Sequence, residues 1–188
     1  MSSSKRDAIL NAALILFAER GYDGTTVPMI AEKAKVGAGT IYRYFESKQI
    51  LVNTLYRQCL AQFADTLREG APPPDATVRE QFRHVFHRMV HFARKSIHAL
   101  IFIDAHTGGH YLDEESRQLF HQFLGSLKEV LEKGKRLGII APLPSEALIA
   151  IVFGAFVRTY KVIRSGELED TPALMEQVEM CCWNAIRC

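Results

Sequence analysis

The sequence predicts an all-α protein of about nine helices, on three observations. Apolar residues recur at helical spacing from end to end, with no sustained alternation of the strand kind. Capping residues, glycines and prolines punctuate the chain at helix-sized intervals. A balance of 48% hydrophobic and 23% charged residues over 188 positions is that of an ordinary folded domain or pair of domains.

Each element has its own signals. Ser4 with Asp7 three residues on is an acidic relative of the capping box, and it opens a helix that Gly21 closes. Ile9, Ala12, Ala13, Leu16 and Phe17 form its buried stripe. Thr26 caps a short second helix, Val27 to about Ala34, with Pro28 in the first turn, where a missing N–H costs nothing. A third short helix follows Gly37. Ser47 caps a long fourth, Lys48 to about Glu69, carrying Leu51, Leu55, Cys59, Phe63 and Leu67 on one side. Gly70-Ala-Pro-Pro-Pro-Asp75 stops it and is the one linker-like segment. Thr77 and Glu80 open a fifth helix that reaches Lys95 or beyond. A sixth runs from about Leu100 to His106, before Thr107-Gly108-Gly109, and a seventh from Asp113 to Leu137, ended by Gly138. The eighth is Ser145 to Arg164 and the ninth about Pro172 to Arg187.

Two short helices joined by a tight turn and backed by a longer one have the size of a helix-turn-helix unit. This places the unit at about 27–46, in a first domain of residues 1–50, with a second helical domain over 51–188. Charge agrees: residues 1–50 hold seven Lys or Arg against five Asp or Glu, which is the whole formal excess of +2. In the second short helix, Ile41 and Phe45 face a core while Thr40, Tyr42, Arg43 and Tyr44 face out. Gly37, Ala38 and Gly39 let the helix start approach a phosphate closely. Arg43 suits a bidentate contact to a guanine edge. Thr40, Tyr42, Tyr44 and Lys48 suit phosphates, which supply affinity and register.

The segments Gly21-Tyr-Asp-Gly-Thr-Thr26, Ile30-Ala-Glu and Val36-Gly-Ala-Gly-Thr-Ile-Tyr-Arg-Tyr-Phe-Glu-Ser-Lys48 keep turn glycines, core positions and contact residues in one register. Residues 4–55 thereby resemble the DNA-binding domain of the tetracycline-repressor-like (TetR) family. The resemblance implies phosphate contacts by Thr26, Thr40, Tyr42, Tyr44 and Lys48 and base reading by Arg43. Gly37 stands where the family usually has serine. Lys35 replaces a common turn glycine, adding a candidate phosphate contact but obliged to accept the backbone angle of the turn.

The same resemblance implies a C-terminal domain that binds a small-molecule effector and pairs two subunits on a palindromic operator in double-stranded DNA. The eighth helix contains an apolar run from Ala147 to Val157 that needs cover on every side. The ninth offers Leu174, Val178, Cys181, Cys182 and Ala185. Packing the pair, about 145–187, against a symmetry mate would form a homodimer, with Phe153 and Ala155 as test positions. An effector cavity is expected among helices four to eight, with candidates Phe63, Phe86, Met89, Ile101, Phe102, Asp104, Phe120, Phe123, Leu127, Phe156 and Tyr160. Asp104 has to be paired if buried, by an Arg or His or by a cationic ligand. The expected effector is therefore apolar or aromatic, and cationic if Asp104 faces the cavity. Wedged against Phe63, it would swing helix four as a lever and release DNA.

Other classes are disfavoured. There is no Walker loop, no Gly-x-Ser-x-Gly elbow and no His-Glu-x-x-His helix, so no enzyme and no cofactor is expected. His84, His87, His91 and His98 fall within about 60° on one helical wheel. Arg83, Arg88 and Lys95 flank them, so a solvated polar face is expected rather than a metal site. Cys59, Cys181, Cys182 and Cys188 have no metal spacing. The longest apolar run is about half of what spans a bilayer, so no membrane association and a cytoplasmic location are expected.

Overall fold

A computed structural model describes residues 4–73 and 75–188. Met1 to Ser3 in the expected first domain, and Pro74 in the expected linker, lie outside the described residues. Nine helices are found among those described: α1 (Lys5–Arg20), α2 (Val27–Ala34), α3 (Ala38–Tyr44), α4 (Lys48–Arg68), α5 (Val78–Lys95), α6 (Ile97–His106), α7 (Glu114–Arg136), α8 (Ser145–Arg164) and α9 (Pro172–Ile186). The only extended pairing among them is an isolated antiparallel bridge between Ile140 and Arg187.

The caps form as the sequence requires. Ser4 and Asp7, and Thr77 and Glu80, make complete capping boxes at α1 and α5. Thr26 accepts from the N–H of Met29, and Ser47 from that of Ile50 at 3.1 Å. Asp113 does the same for α7, its Oδ1 accepting from Ser116 N at 2.9 Å. α5 reaches Lys95 as expected, where Ser96 leaves helical geometry (φ −150, ψ 64), but α6 begins at Ile97 rather than near Leu100, so His98 does not share a helix with His84, His87 and His91. Arg187 turns extended, and α9 stops at Ile186, because Ile186 O and Cys188 N bond Ala141 N and Ile139 O at 2.8 and 3.0 Å.

The helices form two compact units, each from two stretches of chain. The unit holding the first fifty residues runs to Gln62 and takes in His98–Phe120. Its core gathers Ile9, Phe17, Ile30, Ile41, Leu51, Tyr56, Leu100 and Phe102. A polar network sits inside this core. The buried ring of His106 bonds Phe17 O through Nε2 at 3.1 Å and the Tyr111 hydroxyl through Nδ1. Asn53 donates to Tyr111 O at 2.8 Å and accepts from Asp113 N and Ser116 Oγ, both at 2.8 Å. Arg57 closes the network on the Asp113 carboxylate at 2.9 Å. Gly109 is needed beside it, since a Cβ there would stand 2.5 Å from the Tyr111 ring.

The second unit comprises Phe63–Ile97 and His121–Cys188. One cluster joins Val78, Ile140, Leu148, Trp183 and Ile186. Beside it the buried Glu179 carboxylate takes a two-pronged ion pair from Arg79, whose guanidinium lies 5.0 Å over the Trp183 ring. Truncating Arg79 would strand a buried charge, a loss of about 3–5 kcal/mol. The residues of α9 packed inside the unit are Met175, Glu179, Cys182, Trp183 and Ile186, where α5 meets α9 through Arg79 and Phe82; of the stripe expected to face a partner subunit, Leu174 and Val178 are half-buried and Cys181 and Ala185 exposed.

Candidate nucleic-acid interface and effector cavity

The geometry of α3 follows from two buried anchors. Ile41 and Phe45 are sunk in the core, which turns Tyr42 and Tyr44 outward at 54% and 46% exposure, with Arg43 exposed between them. Aromatic surface of this kind next to a cation suits backbone contact on a polyanion. Gly37 caps α3 without a side-chain bond, and Thr40 is half-buried at the end of its first turn. Gly39 is exposed, and a Cβ built on it would meet nothing within 4 Å. Thr26 uses its oxygen lone pair on Met29 N and is exposed.

Lys35 ends α2 in the left-handed region (φ 55, ψ 45), the one non-glycine residue with positive φ among those described. A side chain there costs about 1–2 kcal/mol relative to glycine's freedom, and its exposed position puts the ammonium beside the turn between α2 and α3. Lys48 is arranged otherwise than an exposed phosphate contact. Its ammonium donates to Tyr22 O at 2.9 Å and Thr25 O at 3.0 Å and lies 4.0 Å over the Tyr22 ring. It thus pins the turn that leads into Thr26, with one of its three N–H groups left for another acceptor. Tyr22 in turn stacks on Tyr111 at 4.0 Å, tying that turn to the His106 network.

In the second unit a cavity of about 380 Å³ opens between the ends of α4, α5 and α7 and the strap after α4. Phe123 and Leu127 line it, as do Leu67, Val85 and Val130. Of the other residues expected at an effector, Phe63, Phe86, Met89, Phe156 and Tyr160 are buried in this unit without lining the cavity. They build an aromatic wall: Phe63 packs on Phe92, Phe123 and Phe153 at 4.7, 5.4 and 6.2 Å, and Phe86 on Phe156 at 5.5 Å. Ile101, Phe102, Asp104 and Phe120 fall in the first unit. Phe102 lies tilted against His106 there at 4.4 Å, and Asp104 is half-buried. Sequence reasoning missed the strap residues Ala71 and Pro72 and the polar Arg68, Gln81, His84 and Lys133, which also line the cavity. The proline run had signalled only a linker.

Burial decides the thiols. It pushes Cys59 up to about 12 and Cys182 up to about 11, while Cys181 next to it is exposed, so the adjacent pair points two ways.

Two family matches cover nearly the whole chain. Residues 9–55 match the family described as "Bacterial regulatory proteins, tetR family", and residues 56–188 match "Tetracyclin repressor-like, C-terminal domain". The chain belongs to the TetR family. It is a TetR-type transcriptional regulator with the all-α fold of that family. It is 30% identical to the HTH-type transcriptional regulator YdeS of Bacillus subtilis over 85% of its own length and 79% of the relative's. A TetR-family regulator from Marinobacter aquaeolei shares the fold at a TM-score of 0.83, with 22% identity over 97% of this chain and 95% of the other. The regulator FadR of Bacillus subtilis, solved with stearoyl-CoA, superposes at 0.67 with 25% identity over 93% and 96%.

Proposed function

We propose that this TetR-family chain is a homodimeric repressor that holds a palindromic operator through α3 and is released by a small effector with a substantial apolar part. The observation that carries the DNA side is the α3 face itself, Tyr42, Arg43 and Tyr44 exposed together above Ile41 and Phe45. A helix that merely closed a bundle would have no reason to leave two tyrosines and an arginine in solvent. In this reading Arg43 reads a base, and Thr26, Lys35, Thr40, Tyr42 and Tyr44 hold phosphates. Gly39 clears room for the backbone, and Lys48 acts mainly by fixing the turn before α2.

The dimer reading rests on α8 and α9. Ala150, Ile151, Gly154 and Ala155 form an exposed small apolar stripe on α8, and Met180 and Cys181 are exposed on α9. Phe153 packs on Phe63 and belongs to the interior of the unit, so Ile151 and Ala155 are the positions that probe pairing. The effector reading rests on the cavity beside Phe123 and Leu127. A relative solved with stearoyl-CoA favours an elongated apolar occupant over a compact one.

The deciding experiment selects binding sequences from random duplex DNA with the wild type, then measures Arg43→Ala on the selected and on unrelated DNA. Losing one good bidentate contact costs about 1–3 kcal/mol on the selected site and relaxes one position per half-site. Equal losses on both DNAs would remove Arg43 from base reading.

A further inference from the structure

The cavity in the second unit is polarised along its length. At one end Ala64, Phe123 and Leu127 line it, with Phe123 packed on the Phe63 ring. At the other, Lys133 and Gln81 both donate to the carbonyl of Ala76, at 3.1 and 2.9 Å, where the strap passes. Phe123 and Lys133 sit about 15 Å apart along α7, at the helical rise per residue.

Charge is uneven too. The lining includes Arg68 and Lys133 against a single carboxylate, Glu129. Glu129 is exposed, where water and salt screen it, and the exposed Arg68 pairs with Asp65 at 3.0 Å. Lys133 is half-buried, so its field is the one that acts inside the cavity. His84 on the same wall spends its Nε2–H on Leu67 O at 2.9 Å, which leaves Lys133 as the cation that an occupant meets. Asp104, on which a cationic effector depended, is not in this lining.

We infer that the occupant is an amphiphilic anion: an unbranched apolar chain along Ala64, Phe123 and Leu127, with a carboxylate or phosphate at Lys133. This rests on reading the cavity as the effector site. An anion gains a charge-assisted hydrogen bond from a partly desolvated ammonium, roughly twice as strong as a neutral one. A cation meets that ammonium as a like charge, and an alcohol leaves it with the Ala76 carbonyl.

The test titrates the full-length protein with dodecanoate, dodecyl phosphate, dodecan-1-ol and dodecylamine by calorimetry, each below its micellar concentration. At least one anion should bind about tenfold tighter than the alcohol and the amine, the ratio expected from one charged hydrogen bond. The tighter of the two anions identifies the head group. In Lys133→Gln, which keeps an N–H for Ala76, that advantage should largely vanish while alcohol affinity stays put. An alcohol or amine that binds as tightly as both anions, or an undiminished anion preference in Lys133→Gln, overturns the inference. Leu127→Trp, with Val130→Phe as a second filling variant should the first melt early, tests the broader reading separately. If every ligand loses affinity in a folded filling variant, the cavity stands as the site and the head-group comparison decides the charge. If binding persists undiminished, the effector lies elsewhere and the inference falls with the cavity.

Discussion

Gly39 illustrates how a single position separates folding from function. None of the described residues occupies the space of its missing side chain, and glycine is a poor helix former, so stability alone would favour alanine there. Gly39→Ala is therefore expected to raise the melting free energy by about 0.5 kcal/mol while weakening DNA binding, read by thermal denaturation and fluorescence anisotropy. Unchanged DNA affinity would mean that no backbone approach occurs at this turn. His106 makes the opposite kind of argument. Burial holds its imidazole below the usual histidine range, against the pull of the Phe17 carbonyl. Both ring nitrogens are engaged as those of a neutral ring, Nε2 donating to Phe17 and Nδ1 accepting from Tyr111. The unfolded chain takes up a proton near pH 6.5, the ordinary histidine value, and the folded chain does so only at lower pH. The stability contributed is thus complete above that value and is lost as pH falls through the folded pKa. The melting temperature should drop between pH 7 and pH 5.5, and His106→Gln should flatten that profile. A parallel drop in the variant would assign the effect to other groups.

At the scale of elements, helices were legible in the sequence because their boundaries are local events. Ser4, Thr26, Ser47 and Thr77 each bond an N–H three residues on, and each stands in the sequence as a cap. The α3 face was legible for the same reason, being one turn of helix with alternating inward and outward demands. The cavity was not, since Leu67, His84 and Lys133 come together only when three distant helices pack, and no periodicity encodes that meeting. Nor was the role of Lys48, whose partners Tyr22 and Thr25 lie a whole helix-turn-helix upstream. The stripe on α8 falls between these cases: its apolar character was readable, but which residues stay exposed depends on α9 and Phe63. Ala155→Glu or Ile151→Glu should convert the protein to monomers with lost operator affinity while leaving its helix content intact. Sedimentation that shows an unaltered dimer in both variants would move pairing to another surface.

At the scale of the whole molecule, α4 and α7 each contribute residues to both compact units. If an effector releases operator DNA as proposed, the coupling is reciprocal: operator DNA weakens effector binding by the factor by which effector weakens DNA binding. Titrating dodecanoate with and without a bound operator duplex measures that factor directly. Identical affinities in the two titrations would leave a DNA-binding protein whose occupancy follows its abundance alone.

The interleaving of the two units also governs how this chain can be recombined. Phe17, Tyr22 and Tyr56 receive their cover from Phe102, His106 and Tyr111. The helices of the first fifty residues therefore take part of their aromatic core from a segment that lies beyond residue 97 in the chain, and the other unit is closed by the Cys188 N–H on Ile139 O. A chimaera that transplants only the first fifty residues onto a relative's effector domain would leave behind the ring of His106 and the hydroxyl of Tyr111. The natural unit of exchange is the discontinuous pair 1–62 and 98–120, and a shorter graft carries its specificity without the foundation that orients it.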